Sequence, residues 1–277
     1  MVERLKVAIE KARARRDGPV SPARPAAPPS PAPQAAGAPA EAESWSRLPE
    51  LPLDAAHLTR ERIVTHRKGD PASVAFDLLR TRLLKACADN GWFRIGVTSP
   101  TKACGKTLVT SNLAFSLGRH PTARTALLDL DLRAPRLSAR LGAKGDRRIR
   151  DFLTGETAPE AFLARSGETL AFALNDQAET HSAELVQSAQ ASAAISGLIR
   201  ELRPTMMVYD LPPLLAGDDA LASLGLVDCV LLVAAAGQTQ PHEIEECERL
   251  IAGDRPLLGV ALNKVAESGE GYYAYES

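Results

Sequence analysis

Aromatic side chains are scarce in this 277-residue chain, at 4%, and cysteines number only four. Cys87, Cys104, Cys229 and Cys247 stand far apart with no C-x-x-C pair, which excludes a disulfide framework and a zinc knuckle and fits a reduced cytosolic setting. The five histidines are equally scattered, so no metal cluster is legible. No apolar run approaches the ~20 residues needed to span a bilayer. Met1-Val2-Glu3-Arg4-Leu5-Lys6 also lacks the apolar stretch of a secretory signal. Membrane association is therefore expected only through a partner. A formal charge of −1 supplies no global pull toward nucleic acid or anionic lipid, and no nucleic-acid partner is expected. What the chain does have is 45% hydrophobic against 24% charged residues, enough for a large buried core.

Composition divides the chain into four parts. Residues 1–17 carry Val2, Leu5, Ile9 and Ala12 at helical spacing among Arg4, Lys6, Lys11, Arg13, Arg15 and Arg16, a basic amphipathic helix. Such a helix is ordinarily a solvated surface element; the sharper reading is a docking helix for an acidic partner. Residues 18–55 form an expected disordered linker, with eight prolines between residues 18 and 43. The folded domain is expected over 56–266 and a flexible tail over 267–277. Within the domain, Phe76, Leu79, Leu83 and Cys87 mark a helix ending near Asp89. Strands are expected at Phe93–Thr98, Thr125–Asp129, Leu170–Leu174, Thr205–Asp210, Cys229–Val233 and Leu257–Leu262. Helices are expected at Lys106–Leu117, Ser182–Leu202 and Pro241–Ile251. Strands separated by helices require an α/β fold, a mostly parallel sheet with helices on both faces.

Three segments carry the chemistry. Thr98-Ser99-Pro100-Thr101-Lys102-Ala103-Cys104-Gly105-Lys106-Thr107 ends in Gly-Lys-Thr between an expected strand and an expected helix. Backbone N–H groups at such a helix start, a lysine and a hydroxyl suit a nucleotide triphosphate with magnesium. Pro100 stands where the motif usually has its first glycine, so the loop alone is a moderate signal. Ala126-Leu127-Leu128-Asp129-Leu130-Asp131-Leu132-Arg133 delivers two carboxylates to one side of an extended segment. Met206-Met207-Val208-Tyr209-Asp210-Leu211-Pro212-Pro213 delivers a third and stiffens its exit with two prolines. A lone Asp at a strand end is ordinarily a turn residue. Three of them beside a Gly-Lys-Thr loop are the ligands a Mg-ATP site needs, which defines a P-loop NTPase. Cys104 reads as a small filler of the loop rather than as a nucleophile.

On these residues the chain resembles the bacterial tyrosine kinases of the capsule and exopolysaccharide family, over roughly residues 70–275. Phe76-Asp77-Leu78-Leu79-Arg80-Thr81, Ser182-Ala183-Glu184-Leu185, Asp218-Asp219-Ala220 and Leu258-Gly259-Val260-Ala261-Leu262-Asn263-Lys264 resemble the branch associated with exosortase-type exopolysaccharide loci. The resemblance implies that Ala103, Cys104, Gly105, Lys106 and Thr107 cradle ATP, with Lys106 on the β/γ-phosphates. It implies that Thr107, Asp129 and Asp210 hold Mg2+, and that Asp131 orients or deprotonates an acceptor tyrosine. It further implies phosphorylation of Tyr272, Tyr273 and Tyr275 in trans by a neighbouring copy. The implied partner is a membrane-embedded polysaccharide co-polymerase or chain-length regulator, which would hold a cytoplasmic protein at the inner membrane. The chain departs from the family at its Glu-x-x-Arg-x-x-Arg assembly helix, where Val74, Asp77 and Arg80 stand.

The chief rival is a partitioning or septum-positioning ATPase, but the extra loop lysine of that class falls at Thr101 here. A GTPase is disfavoured because Asn263-Lys264 is followed by Ala266 at the guanine-reading position, although Asn263 is a candidate contact to adenine. A third reading is an ATP-binding, non-catalytic regulator of the polysaccharide machinery. Residues 133–150 hold Arg133, Arg136, Arg140, Lys144, Arg147, Arg148 and Arg150 against Asp146. The tail carries Glu267, Glu270 and Glu276 with no basic residue. The basic stretch, ordinarily a solvated face, is thus a candidate attractor for a neighbour's acidic tail.

Overall fold

The structure, a computed structural model, describes residues 39–265 apart from Lys68, Pro121, Thr122 and Lys144, with side chains from Glu43 onward. The expected N-terminal helix and the tyrosine tail lie outside the described residues.

Seven strands form one sheet: β1 Arg94–Thr98, β2 Thr125–Asp129, β3 Ala164–Ser166, β4 Leu170–Ala173, β5 Met206–Asp210, β6 Cys229–Ala235 and β7 Leu257–Asn263. Their spatial order is β3-β4-β2-β5-β1-β6-β7. All neighbours run parallel except β3, which pairs antiparallel with β4. Apolar runs such as Ala126-Leu127-Leu128 and Met206-Met207-Val208 suit strands covered on both faces, and every residue of β2 and β5 is buried.

The larger helices are α1 Pro39–Arg47, α2 Ala55–Arg60, α3 Val74–Asn90, α4 Lys106–Gly118, α5 Leu137–Leu141, α6 Ile149–Leu153, α7 Pro159–Phe162, α8 Ser182–Gln187, α9 Ala189–Leu202, α10 Asp219–Ser223 and α11 Pro241–Ala252. Right-handed crossovers place α4 on one face and α8 to α11 on the other. Helix α3 stops at Gly91, which takes the left-handed conformation (φ 69°) that glycine adopts without strain. Helix α4 is buried nearly all round, including Thr110, Ser111, Asn112 and Ser116. Its polar groups are satisfied locally: the Thr110 and Ser111 hydroxyls donate to the carbonyls of Lys106 and Thr107 at 2.8 and 2.7 Å.

Two expectations are corrected. The single helix expected at Ser182–Leu202 is broken at Ser188, whose backbone is extended and whose hydroxyl accepts from the Ala191 amide at 3.0 Å. A side chain able to cap the next turn competes with helix continuation. The linker expected to run to residue 55 ends earlier, because Trp45, Leu48 and Leu51 are buried in the core. Trp45 Nε1 donates to the Leu202 carbonyl at 2.6 Å, and the Arg124 guanidinium lies 5.4 Å from the indole centre. The Leu51 amide donates to the Arg165 carbonyl, and the Arg165 amide to that of Pro49, at 2.7 and 2.9 Å. This strap covers the outer edge of β3, which would otherwise offer unpaired backbone groups.

Candidate functional site

The order β2-β5-β1 brings three carboxyl-terminal strand ends side by side. Asp129 and Asp210 are direct register partners across β2 and β5, and Val97 of β1 is paired with Asp210 on its other side. All three chemical motifs therefore open on one edge of the sheet, at the carboxyl ends where open α/β sheets bind ligands.

The loop between β1 and α4 is held from two directions. Thr98 Oγ1 donates to the Pro212 carbonyl at 2.6 Å, and the amides of Leu214 and Leu215 donate to Ser99 and Pro100 at 2.8 and 3.0 Å. The diproline exit of β5 thus braces the loop. From β7, Asn263 Nδ2 donates to the Cys104 carbonyl at 2.9 Å. Gly105 has φ 90°, and a Cβ there would sit 2.2 Å from that same Asn263 nitrogen. Glycine is required at 105 for both reasons. Ala103 also adopts positive φ (65°), an uncommon conformation for a residue with a Cβ. The Cys104 thiol is buried, 3.7 Å from Thr101 Oγ1 and 3.6 Å from Thr239 Oγ1, in keeping with a packing role.

Lys106, the first residue of α4, sends its ammonium to Asp131 Oδ2 at 2.6 Å and lies 3.6 Å from Asp210 Oδ1. Thr107 Oγ1 donates to Asp210 Oδ2 at 2.7 Å, and Thr110 Oγ1, which donates to the Lys106 carbonyl, lies 3.1 Å from Asp210 Oδ1. Asp129 accepts from the amides of Asp131 and Leu137 at 3.3 and 3.2 Å. Thr110 had no sequence motif of its own, although its position three residues after Thr107 puts both hydroxyls on one helix face.

Burial favours neutral Lys106, but the facing charges of Asp210 and Asp131 outweigh it and hold the ammonium above its ordinary range. Burial, with Asp210 opposite, pushes Asp129 well above the usual carboxylate range. Asp210 is also raised by burial, with Lys106 and the Thr107 hydroxyl opposing. Two facing carboxyls held this way favour a proton or a cation between them. Among the described residues no group of three or more His, Cys, Asp or Glu side chains is spaced to cage a metal. Magnesium does not require such a cage, since it takes one or two protein oxygens and completes its shell with phosphate and water. The Thr107 hydroxyl and the Asp129–Asp210 pair fit that donor set.

The basic stretch after β2 is largely neutralised within the chain. Arg133 pairs with Asp219 at 2.6 Å, Arg140 with Glu61 at 3.1 Å, Arg147 with Asp176 at 3.5 Å and Arg150 with Glu179 at 2.6 Å. The Arg150 hydrogen bond holds Glu179 down at about 2. Of the described arginines in the stretch, Arg136 and Arg148 alone make no ion pair with a described residue. In α3, Arg80 turns inward to Asp77 and to the Ser116 carbonyl, at 3.2 and 3.0 Å, fastening α3 to α4.

No protein-family model matches the chain. It is 25% identical to the tyrosine-protein kinase YwqD of Bacillus subtilis (strain 168) over 213 residues, 73% of this chain and 86% of that one. The chain is thus similar to bacterial tyrosine kinases along most of its length. Among solved structures, the BceF tyrosine kinase domain matches with a TM-score of 0.64 and 25% identity, covering 84% of this chain and all of that one. The crystal structure of the chimerical protein CapA2B2 matches with a TM-score of 0.69 at 22% identity, covering 82% of this chain and 99% of that one. The septum site-determining protein MinD of Pyrococcus horikoshii OT3, complexed with Mg-ADP, gives a TM-score of 0.52 at 20% identity over 63% of this chain. The septum-positioning rival therefore shares the P-loop fold, while the kinases match more of the chain. Among the described residues no helix is long and apolar enough to cross a membrane.

Proposed function

We propose that the chain is an ATP-dependent protein-tyrosine autokinase that regulates exopolysaccharide or capsule polymerisation and export. One observation carries the reading: Lys106, Thr107, Asp131 and Asp210 meet by direct side-chain contacts where Asp129 and Asp210 stand in register.

Lys106 and the backbone amides of the Ala103–Thr107 turn would grip the triphosphate, with Asn263 supporting the loop beside the base. Thr107, Asp129 and Asp210 would hold Mg2+, which when bound neutralises charge on the phosphates. Asp131 would orient the phenol of an acceptor tyrosine and take its proton. Thr110 Oγ1 stands against Asp210 from a second side. Tyr272, Tyr273 and Tyr275 would accept phosphate from a neighbouring copy, which requires self-association. A membrane-embedded co-polymerase would supply activation and hold the kinase at the inner membrane.

The test is incubation of the purified chain with Mg-ATP, with and without the co-polymerase's cytoplasmic segment. Mass spectrometry then reads phosphate on Tyr272, Tyr273 and Tyr275, with Lys106→Met as control. Phosphate on these tyrosines that disappears with Lys106→Met is the expected result. Nucleotide binding with no modified tyrosine under either condition would select the non-catalytic regulator instead.

A further inference from the structure

Two motifs that the phosphate site does not use converge with Arg133, the residue that closes the Asp129–Asp131 motif. Arg133 lies two residues beyond Asp131 in the segment leaving β2. Ser182 opens α8, which follows β4, and Asp219 opens α10, which follows β5. Arg133 Nε donates to Asp219 Oδ2 at 2.6 Å and lies 3.3 Å from Ser182 Oγ. Ser182 Oγ in turn donates to Asp219 Oδ1. Ser182 and Asp219 are buried, whereas the Arg133 side chain is 55% exposed. One backbone bond reinforces the tie, from the Glu179 amide to the Leu132 carbonyl at 2.8 Å.

We propose that Arg133, Ser182 and Asp219 are positioning residues that lock the exits of β2, β4 and β5 together and so fix the Asp131 carboxylate against Lys106 for phosphoryl transfer. The claim rests on the kinase reading for its chemistry and on the hydrogen bonds for its geometry. Asp131 lies beyond the last residue of β2, so the sheet does not by itself set its direction. A buried carboxylate that accepts from both a guanidinium and a hydroxyl is a stiff anchor. The Arg133 guanidinium does not lose its proton in proteins, so the donor side of this pair persists at any working pH. None of the three side chains makes a hydrogen bond or ion pair with Lys106, Thr107 or Asp210, so the cluster acts on transfer more than on nucleotide binding.

The experiment compares Arg133→Ala, Asp219→Asn, the double variant and Arg133→Lys in the full chain. The expected result is a fall in kcat for phosphotyrosine formation of about tenfold or more, with KM for ATP held within about twofold. The double variant should be no worse than the poorer single one, and Arg133→Lys should regain much of the loss through its remaining charge. An unchanged kcat in Arg133→Ala, or equal losses in kcat and ATP affinity across the series, would overturn the proposal. Hydrogen–deuterium exchange gives a second readout that needs no transfer. Amides of 130–137 should exchange faster in Arg133→Ala and Asp219→Asn, while those of 94–98 stay protected. A wild-type chain that makes no phosphotyrosine brings down the kinase reading; unchanged exchange at 130–137 brings down the positioning cluster.

Discussion

The centre and the flank of the sheet are built by different means. In β2, β5 and β1 every residue except Arg94 is buried, and the candidate carboxylates Asp129 and Asp210 follow directly from strand register. At the β3 flank, a three-residue strand is completed by a strap from residues 45–51, held through Trp45 and a bridge between Glu50 and Arg165. The centre is specified by local pattern and carries the candidate site. The flank is specified by contacts between distant residues and carries stability.

The comparison breaks most sharply if the two regions cannot be separated by mutation. Lys106→Met is expected to lower phosphotyrosine formation by about a thousandfold, read by quantitative mass spectrometry; substantial residual transfer would remove the lysine from its assigned place. Trp45→Ala should do the reverse, lowering unfolding stability by about 3 kcal/mol in guanidinium titration while leaving KM for ATP unaltered. A matching loss of ATP affinity would show that the strap reaches the site. Gly105→Ala should weaken nucleotide binding by about tenfold, because the new Cβ meets Asn263 and the backbone holds positive φ. Adding Asn263→Ala should relieve the clash and leave the backbone strain, so only part of the affinity returns in calorimetry.

The smallest effect concerns pH and belongs to the flank. Partial burial, with the Glu160 carboxyl beside it, pushes Glu201 up to about 7, next to the Leu202 carbonyl that receives Trp45. Between its ordinary 4.5 and about 7 this group binds more protons folded than unfolded, so stability falls as pH rises through that window. Glu201→Gln should flatten the decline in a series of melting temperatures from pH 4.5 to 8; an unchanged slope would assign the decline to other groups.

The same division explains what could be read from the sequence. The central strands are legible because each is an apolar run ending in a polar residue, and α4 because it follows Gly-Lys-Thr. The side chains of Lys106, Thr107, Asp131 and Asp210 meet because β5 lies between β1 and β2, an order that no single segment encodes. The strap is missed because Trp45, Leu48 and Leu51 follow a proline-rich tract and gain their partners only at Arg165 and Leu202. Strand β3 is too short to show a period. The Ser182–Asp219–Arg133 cluster joins residues up to 86 positions apart by number, and its motifs were visible while their convergence was not.

The Asn263 contact links two places that the sequence keeps far apart. The chain runs from this asparagine to its first tail tyrosine in nine residues, and the same side chain grips the carbonyl at position 104. A displacement at the carboxyl end of the last strand is thereby delivered to the Cys104–Gly105 turn through a single amide.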